Sequence, residues 1–331
     1  MKVSIVIPCK NEEKYIEKCI NSFINSTFDI NQVEILVVDG NSTDKTREIV
    51  TRINQQYPQI KIIDNPKEKT PFALNIGIQQ ASGEYILIAS AHSSFDNDYI
   101  EKIIAYFDTL QADVIGGVME TKVLNKTPKT NSIIEVLSNK FGVGNASFRV
   151  GIKHPEKVDT VPFGIYKRKL LLEIGGYDER LIRNHDIEMS KRLLKRNKVI
   201  FLVPKPKCYY YARETYSEIF KNNYRNGKWN IITVYITKLF SSLSLRHFIP
   251  LIFVSSLLLP LLGAILYPPL AFLSLFSALA YLLLITTISF QIKNNNNSTQ
   301  IRYLIFAFIT LHFSYGLGSI VGLFSIKHLN Q

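Results

Sequence analysis

A doubly wound α/β domain with a mostly parallel sheet, followed by transmembrane helices, is the fold class this sequence predicts. Three observations predict it. Over the first hundred residues, short apolar runs alternate with amphipathic stretches, the pattern of parallel strands joined by helices. The run Ile35-Leu36-Val37-Val38-Asp39 does not alternate, as expected of a parallel strand covered on both faces. From residue 248 to 292, and again from 303 to 326, no side chain is charged.

The elements follow in order. A first strand at residues 3–7 is stopped by Pro8. The polar loop Cys9-Lys10-Asn11-Glu12-Glu13 leads into a helix with Ile16, Cys19, Ile20 and Phe23 on one face. The strand at 35–39 ends on a carboxylate, turns through Gly40-Asn41 and enters a helix with Ile49, Val50 and Ile53. Ser42 or Thr43 is its expected N-cap. A strand at 60–63, a helix carrying Phe72, Leu74, Ile76 and Ile78, and a strand at 85–88 come next. Residues 113–117 read as a further strand ending on Gly116-Gly117, a pair that permits close approach of backbone or ligand. No G-x-G-x-x-G follows the first strand, so a dinucleotide site is not supported.

The charge-free tail splits at Pro268-Pro269 and at the polar run from Lys293 to Ser298. It leaves three apolar segments near 249–267, 270–290 and 303–326, each close to the roughly 20 residues that a spanning helix needs. The domains expected are thus a catalytic part at 1–214, an interfacial helical segment at 215–247 and a membrane part at 248–331. No signal-peptide pattern opens the chain, because its first apolar run is too short. Lys238 and Arg246 precede the first segment, and Lys293 and Arg302 lie between the second and third. By the positive-inside rule the amino-terminal domain and the 293–302 loop are cytoplasmic, in a multi-pass protein of the inner (plasma) membrane. Lys327 argues weakly the other way.

Three widely spaced cysteines, Cys9, Cys19 and Cys208, fit neither a disulfide framework nor a zinc site. The net charge of +12 comes without any basic-aromatic nucleic-acid reader. An anionic leaflet and a diphosphate ligand account for it better, so no nucleic acid is expected as a partner. Residues 216–240 are helix-compatible, basic and aromatic. They suit either the headgroup region or packing on the catalytic domain.

Three acidic or imidazole groups stand out. Asp39 lies at the carboxyl end of a parallel strand, where open α/β sheets bind ligands. A helix-start preference explains Asp44 but not Asp39, which precedes the cap. His92, in Ser90-Ala91-His92, follows the fourth strand in the same way and is either a surface residue or a ligand group. Asp186, in Arg183-Asn184-His185-Asp186, opens a basic helix whose dipole favours its ionised form, the form a general base requires. Simple helix-start preference fits Asp186 equally well.

Together the motifs resemble family 2 glycosyltransferases of the GT-A fold. The matching stretches are Ser4-Ile5-Val6-Ile7-Pro8 with Asn11-Glu12, Val37-Val38-Asp39-Gly40 with Ser42-Thr43-Asp44, Ala73-Leu74-Asn75 with Gly77, and Ala81-Ser82-Gly83-Glu84-Tyr85. The later half is similar to the membrane-tethered branch that includes succinoglycan-type glucosyltransferases. It matches through Phe141-Gly142-Val143-Gly144, Asp159-Thr160-Val161, Gly175-Gly176-Tyr177-Asp178-Glu179, Tyr211-Ala212-Arg213 and His312-Phe313-Ser314-Tyr315-Gly316-Leu317-Gly318.

The resemblance implies an inverting transfer of sugar from a nucleotide sugar, expected to be UDP-linked, to a lipid-linked saccharide at the cytoplasmic membrane face. Pro8, Asn11, Glu12, Asp39 and Ser90 would bind the nucleotide sugar, Asp186 would be the base, and Arg213 and Trp229 would stand near acceptor and diphosphate. The family holds a divalent ion, manganese or magnesium, with Asp-x-Asp or Asp-Ala-His. Here His92 is retained as the metal candidate, but Ser90 replaces the leading aspartate, so the ion should be weakly held. His185 stands where the family usually has Glu. Two other functions remain open: a transferase that charges polyprenyl phosphate itself, and a non-catalytic subunit of a polysaccharide assembly complex.

Overall fold

The computed structural model describes residues 2–240 and 243–326, so Lys327 lies outside the described residues. Strand and helix alternate as expected: β1 (Val3–Cys9), α1 (Ile16–Ile24), β2 (Val33–Asp39), α2 (Thr46–Gln56), β3 (Ile60–Asp64), α3 (Thr70–Gln80) and β4 (Tyr85–Ile88). Then come β5 (Ser93–Phe95), α4 (Tyr99–Leu110), β6 (Val114–Lys122), α5 (Pro128–Leu137), α6 (Lys140–Val143) and α7 (Ser147–Val150). β7 (Glu156–Lys157), β8 (Ile165–Lys167), α8 (Arg168–Glu173), α9 (His185–Lys195) and β9 (Ile200–Tyr211) follow. The later helices are α10 (Tyr216–Thr237), α11 (Ile249–Gly263), α12 (Ala271–Asn295) and α13 (Ile301–Ser325).

The sheet order is β3-β2-β1-β4-β8-β6-β9-β5, with β7 on β9. Its first four strands are parallel, while β8 pairs antiparallel with both β4 and β6, so the whole sheet is mixed. Odd and even strand positions feed different cores. Ile5, Ile7, Ile35 and Val37 join α1, α2 and α4, whereas Val6, Leu36 and Val38 join α3, α8 and α9. Helices thus cover both faces of the sheet, which is the GT-A architecture.

Local details depart from the sequence expectation for physical reasons. Pro8 lies inside β1 rather than stopping it. Val6 accepts from Ala89 on the β4 side, and Cys9 accepts from Gly40 on the β2 side. By alternation the missing N–H of Pro8 faces β4, whose pairing ends at Ile88 opposite Val6. α2 starts at Thr46, not after a Ser42 or Thr43 cap, because Ser42 turns its hydroxyl to Asp39. α3 buries Pro71, Leu74 and Ile78, the helical i, i+3, i+7 set, and leaves Phe72 and Ile76 half-buried.

The chain forms two compact units, residues 1–121 with 147–211, and residues 122–146 with 212–331. The segment carrying α5 and α6 groups with the later helices, since Ile133 and Val136 of α5 cluster with Ile288 and Ile292 of α12 and Leu304 and Phe308 of α13. Three helical stretches, Leu245–Gly263, Pro268–Asn295 and Ile301–Ser325, are long and apolar enough to cross a membrane.

Candidate functional site

Register builds the site. Pairing along the parallel strands sets Cys9, Asp39 and Asp64 side by side at the carboxyl edge. β2 and β3 lie on one side of β1 and β4 on the other, so the loops after β1 and β4 meet at this edge, the switch point of the sheet.

Asp39 is fully buried. Oδ1 accepts from Ser42 Oγ at 2.5 Å and from the Cys9 thiol at 3.6 Å; Oδ2 accepts from Ser42 N at 3.1 Å and from Arg47 Nη1 at 2.8 Å. Burial alone would push its pKa up. The bonds from Ser42 and Arg47 outweigh burial and hold it below the ordinary value, so Asp39 is ionised. Burial and the adjacent Asp39 push the Cys9 thiol up, which keeps it a donor. Arg47 Nη1 also reaches Asp64 at 2.8 Å, joining the ends of β2 and β3. Sequence reasoning missed Arg47, although a cation in a helix's first turn, against the dipole, signals a carboxylate partner nearby.

The loops after β1 and β2 are laced together. Asn11, in the left-handed region at φ 56°, donates its amide to Ser42 Oγ, and its side-chain oxygen accepts from Thr43 N, each at 2.8 Å. Glu12 N donates to Thr46, Glu13 N to Asp44, and Lys45 N to Glu13. Glu68 pairs with Lys10 and accepts from Asn41, tying a third loop to these two. Pro8 sits one residue before Cys9 in β1, paired with Val38.

From the loop after β4, His92 Nε2 meets the Glu12 carboxylate at 2.8 Å, and the Tyr15 ring lies 4.2 Å from the imidazole. Ser90 closes the turn: its hydroxyl accepts from His92 N at 3.3 Å and its carbonyl accepts from Ser93 Oγ at 2.6 Å. Among the described residues no group of three His, Cys, Asp or Glu side chains is placed to hold a metal ion. His92 and Glu12 alone therefore do not fit a divalent ion held by protein ligands.

Asp186 is the second residue of α9 and is exposed. Burial keeps the hydroxyls of Tyr166 and Tyr177 neutral, and the nearby charge of Asp186 reinforces it. The turn leading towards α9 is fixed from α3: Asn75 accepts from Tyr177 N at 2.8 Å and donates to Tyr177 O at 2.9 Å. Gly176, at φ 67°, is required there, because a Cβ would stand 2.5 Å from Asn75 Oδ1. Arg192 donates to the carbonyls of Ile174 and Gly176 and pairs with Glu188, clamping α9 to that turn. His185 is held neutral by burial, and its Nδ1 lacks a hydrogen-bond partner. Arg213, soon after β9, and Trp229, on α10, are half-buried members of the second unit. A pocket of about 520 Å³ between Ser82-Gly83-Glu84 and α8 lies at the amino end of β4, away from the edge that carries Asp39.

Residues 4–175 match the family described as Glycosyl transferase family 2. A Methanococcus voltae protein is 29% identical, over 68% of this chain and 71% of its own length. Its name is dolichyl N-acetyl-alpha-D-glucosaminyl phosphate 3-beta-D-2,3-diacetamido-2,3-dideoxy-beta-D-glucuronosyltransferase. Succinoglycan biosynthesis protein ExoA of Rhizobium meliloti is 29% identical, over 68% of this chain and 67% of that one. Among solved structures, Staphylococcus aureus TarS 1-349 with UDP-GlcNAc superposes at TM-score 0.54 and 17% identity, covering 99% of this chain and 92% of that one. The Pyrobaculum calidifontis mannosyltransferase PcManGT with GDP-Man and Mn2+ gives TM-score 0.56 at 17% identity, over 92% and 85%. At such identities the structures bear on the fold alone.

Proposed function

The chain belongs to glycosyl transferase family 2, and from that premise we propose the reaction it carries out. It moves a sugar, with inversion, from a UDP-sugar to a lipid-linked saccharide at the cytoplasmic face of the plasma membrane, in exopolysaccharide or glycan assembly. The relatives' names support this acceptor class, one naming a dolichyl phosphate saccharide and the other succinoglycan. The observation that carries the reading is the ionised, enclosed Asp39 at the carboxyl edge of β2, beside the switch point between β1 and β4.

In this reading Asp39 holds Ser42 and Arg47 in place for the nucleotide, and Pro8, Asn11 and Glu12 form the wall beside it. Ser90 and His92 meet the diphosphate side of the donor. Manganese or magnesium beside His92 would depend on the donor's phosphates for most of its ligands. Asp186 takes the proton from an acceptor hydroxyl. The oxygen then attacks the anomeric carbon opposite the diphosphate, and the bond from that carbon to the phosphate oxygen breaks. Acceptor-side roles for Arg213 and Trp229 rest on the resemblance alone.

The test is transfer of labelled sugar by the protein in lipid nanodiscs, across a panel of UDP- and GDP-sugars. One arm contains lipid-linked saccharides and another polyprenyl phosphate alone. Label in the saccharide arm only is the expected result. Label in the polyprenyl phosphate arm would instead make the protein a lipid-charging enzyme, and label in neither would contradict catalysis.

A further inference from the structure

The second unit is built unlike three independent spans. Half of α13 is buried within the protein, whereas in α11 only Val254, which packs on Gly316 of α13, is fully buried. Part of what buries α13 is α10, which runs beside it in the same direction. At one end Tyr216 donates to the Tyr303 carbonyl and its ring packs on Phe306. Further along, a Cβ on Gly318 would stand 2.0 Å from the Tyr224 carbonyl oxygen, and one on Gly322 would stand 2.8 Å from that of Lys228. The two backbones therefore touch, and one helix cannot enter hydrocarbon without the other.

α10 carries Lys221, Arg225 and Lys228 among Asn222, Asn223, Asn226 and Asn230, and Lys221 and Arg225 are exposed. With Arg302 at one membrane surface, the level of Lys228 beside Gly322 would be about 30 Å further along α13, with Lys221 and Arg225 in between. Lys221 and Arg225 would then lie between the two surfaces, where cations on a helix are strongly disfavoured. The amino-terminal end of α13, where Tyr216 sits, is also sheathed by α5: Ser132 Oγ accepts from Gln300 N and Glu135 accepts from Asn296.

α11 and the first half of α12 differ. They pair through Phe253 with Tyr281 and Ser274 with Leu257, and they expose Leu262, Ile265, Leu266, Phe272, Phe276 and Leu283. The turn between them suits hydrocarbon. Ala264 donates to Pro260, Ile265 to Leu262, Leu266 and Tyr267 to Gly263, Leu270 to Tyr267, and Ala271 to Pro268 and Pro269. The two prolines have no N–H, so no amide hydrogen from 264 to 271 is left for water.

We propose that the α11–α12 hairpin enters the acyl chains from one face and returns to that face, while α10 and α13 lie together along the membrane surface. No described segment then crosses, and both ends of α13 stay on the face from which the hairpin enters. In place of three crossings this gives one re-entrant hairpin, and it rests on the reading that the protein is membrane-bound.

The test uses the full chain in its membrane, with an epitope tag after Gln331 and, separately, Leu266→Cys or Asn297→Cys; the native Cys9, Cys19 and Cys208 are buried. Impermeant maleimide and protease are applied to intact cells and to opened membranes. The tag should be cut only in opened membranes, and Asn297→Cys should label there too. Leu266→Cys should stay unlabelled from outside, and a fluorophore on it in liposomes should be quenched by brominated acyl chains. A tag cut in intact cells, as three crossings require, overturns the proposal. So does Leu266→Cys labelled from outside, the result of a hairpin that spans. Protein in the soluble fraction would instead overturn the membrane reading itself.

Discussion

Asp39 keeps its charge without water because four donors replace the water it lost: Cys9, Arg47, and the Ser42 hydroxyl and amide. Arg47→Met removes the charged donor among these and cuts the link to Asp64. A charge-assisted bond contributes roughly 1.5–3 kcal/mol, so donor KM should rise about ten- to hundred-fold, with a smaller fall in kcat. Asp39→Ala should act in the same direction; unaltered UDP affinity in both variants, by calorimetry, would remove this set from the nucleotide site. Glu34 repeats the pattern at the other end of β2, accepting from Ser4 Oγ at 2.6 Å and from Ser82 N at 2.6 Å. Burial pushes its pKa up, and these bonds bring it below the ordinary value. A folded pKa below the unfolded one gives stability that is complete above the unfolded value, about 4.3, and is lost as pH falls through the folded value. Wild type should therefore lose more stability than Glu34→Gln between pH 7 and pH 3, measured by urea unfolding. Equal losses would contradict the assignment. Asp39 was legible in the sequence because a short apolar run points to it. Glu34 was not, because its partners Ser4 and Ser82 are brought to it only by the sheet.

At the scale of elements, the strand and helix order of the first hundred residues was legible because each apolar period is local. The caps were not. A serine in the right place for an N-cap, Ser42, is drawn to a stronger acceptor, and α2 begins only at Thr46. The antiparallel strand β8 was invisible for another reason: three residues carry no period. The turn before α9 shows how elements position Asp186 without touching it. Gly176→Ala forces a left-handed Cβ against Asn75, which should cost about 1–2 kcal/mol and lower Tm by a few degrees. Transfer should fall, with donor affinity unchanged, because the carbonyl that Arg192 grips is displaced. An unchanged Tm would show that the turn yields freely.

For the whole molecule, helices long and apolar enough to cross a membrane were legible in the charge-free tail, since hydropathy is a sum over residues. How those helices pack was not legible, because the contacts of α10 with α13 join residues far apart in the chain. The segment 122–146 joins those helices for the same reason. The central claim is sugar transfer with Asp186 as base, and it is tested most directly by Asp186→Asn in nanodiscs with a labelled UDP-sugar and a lipid-linked saccharide. The amide keeps the size and loses the proton affinity, so UDP-sugar binding should match wild type while transfer falls about 10²-fold or more. Near-normal turnover in Asp186→Asn would contradict the account.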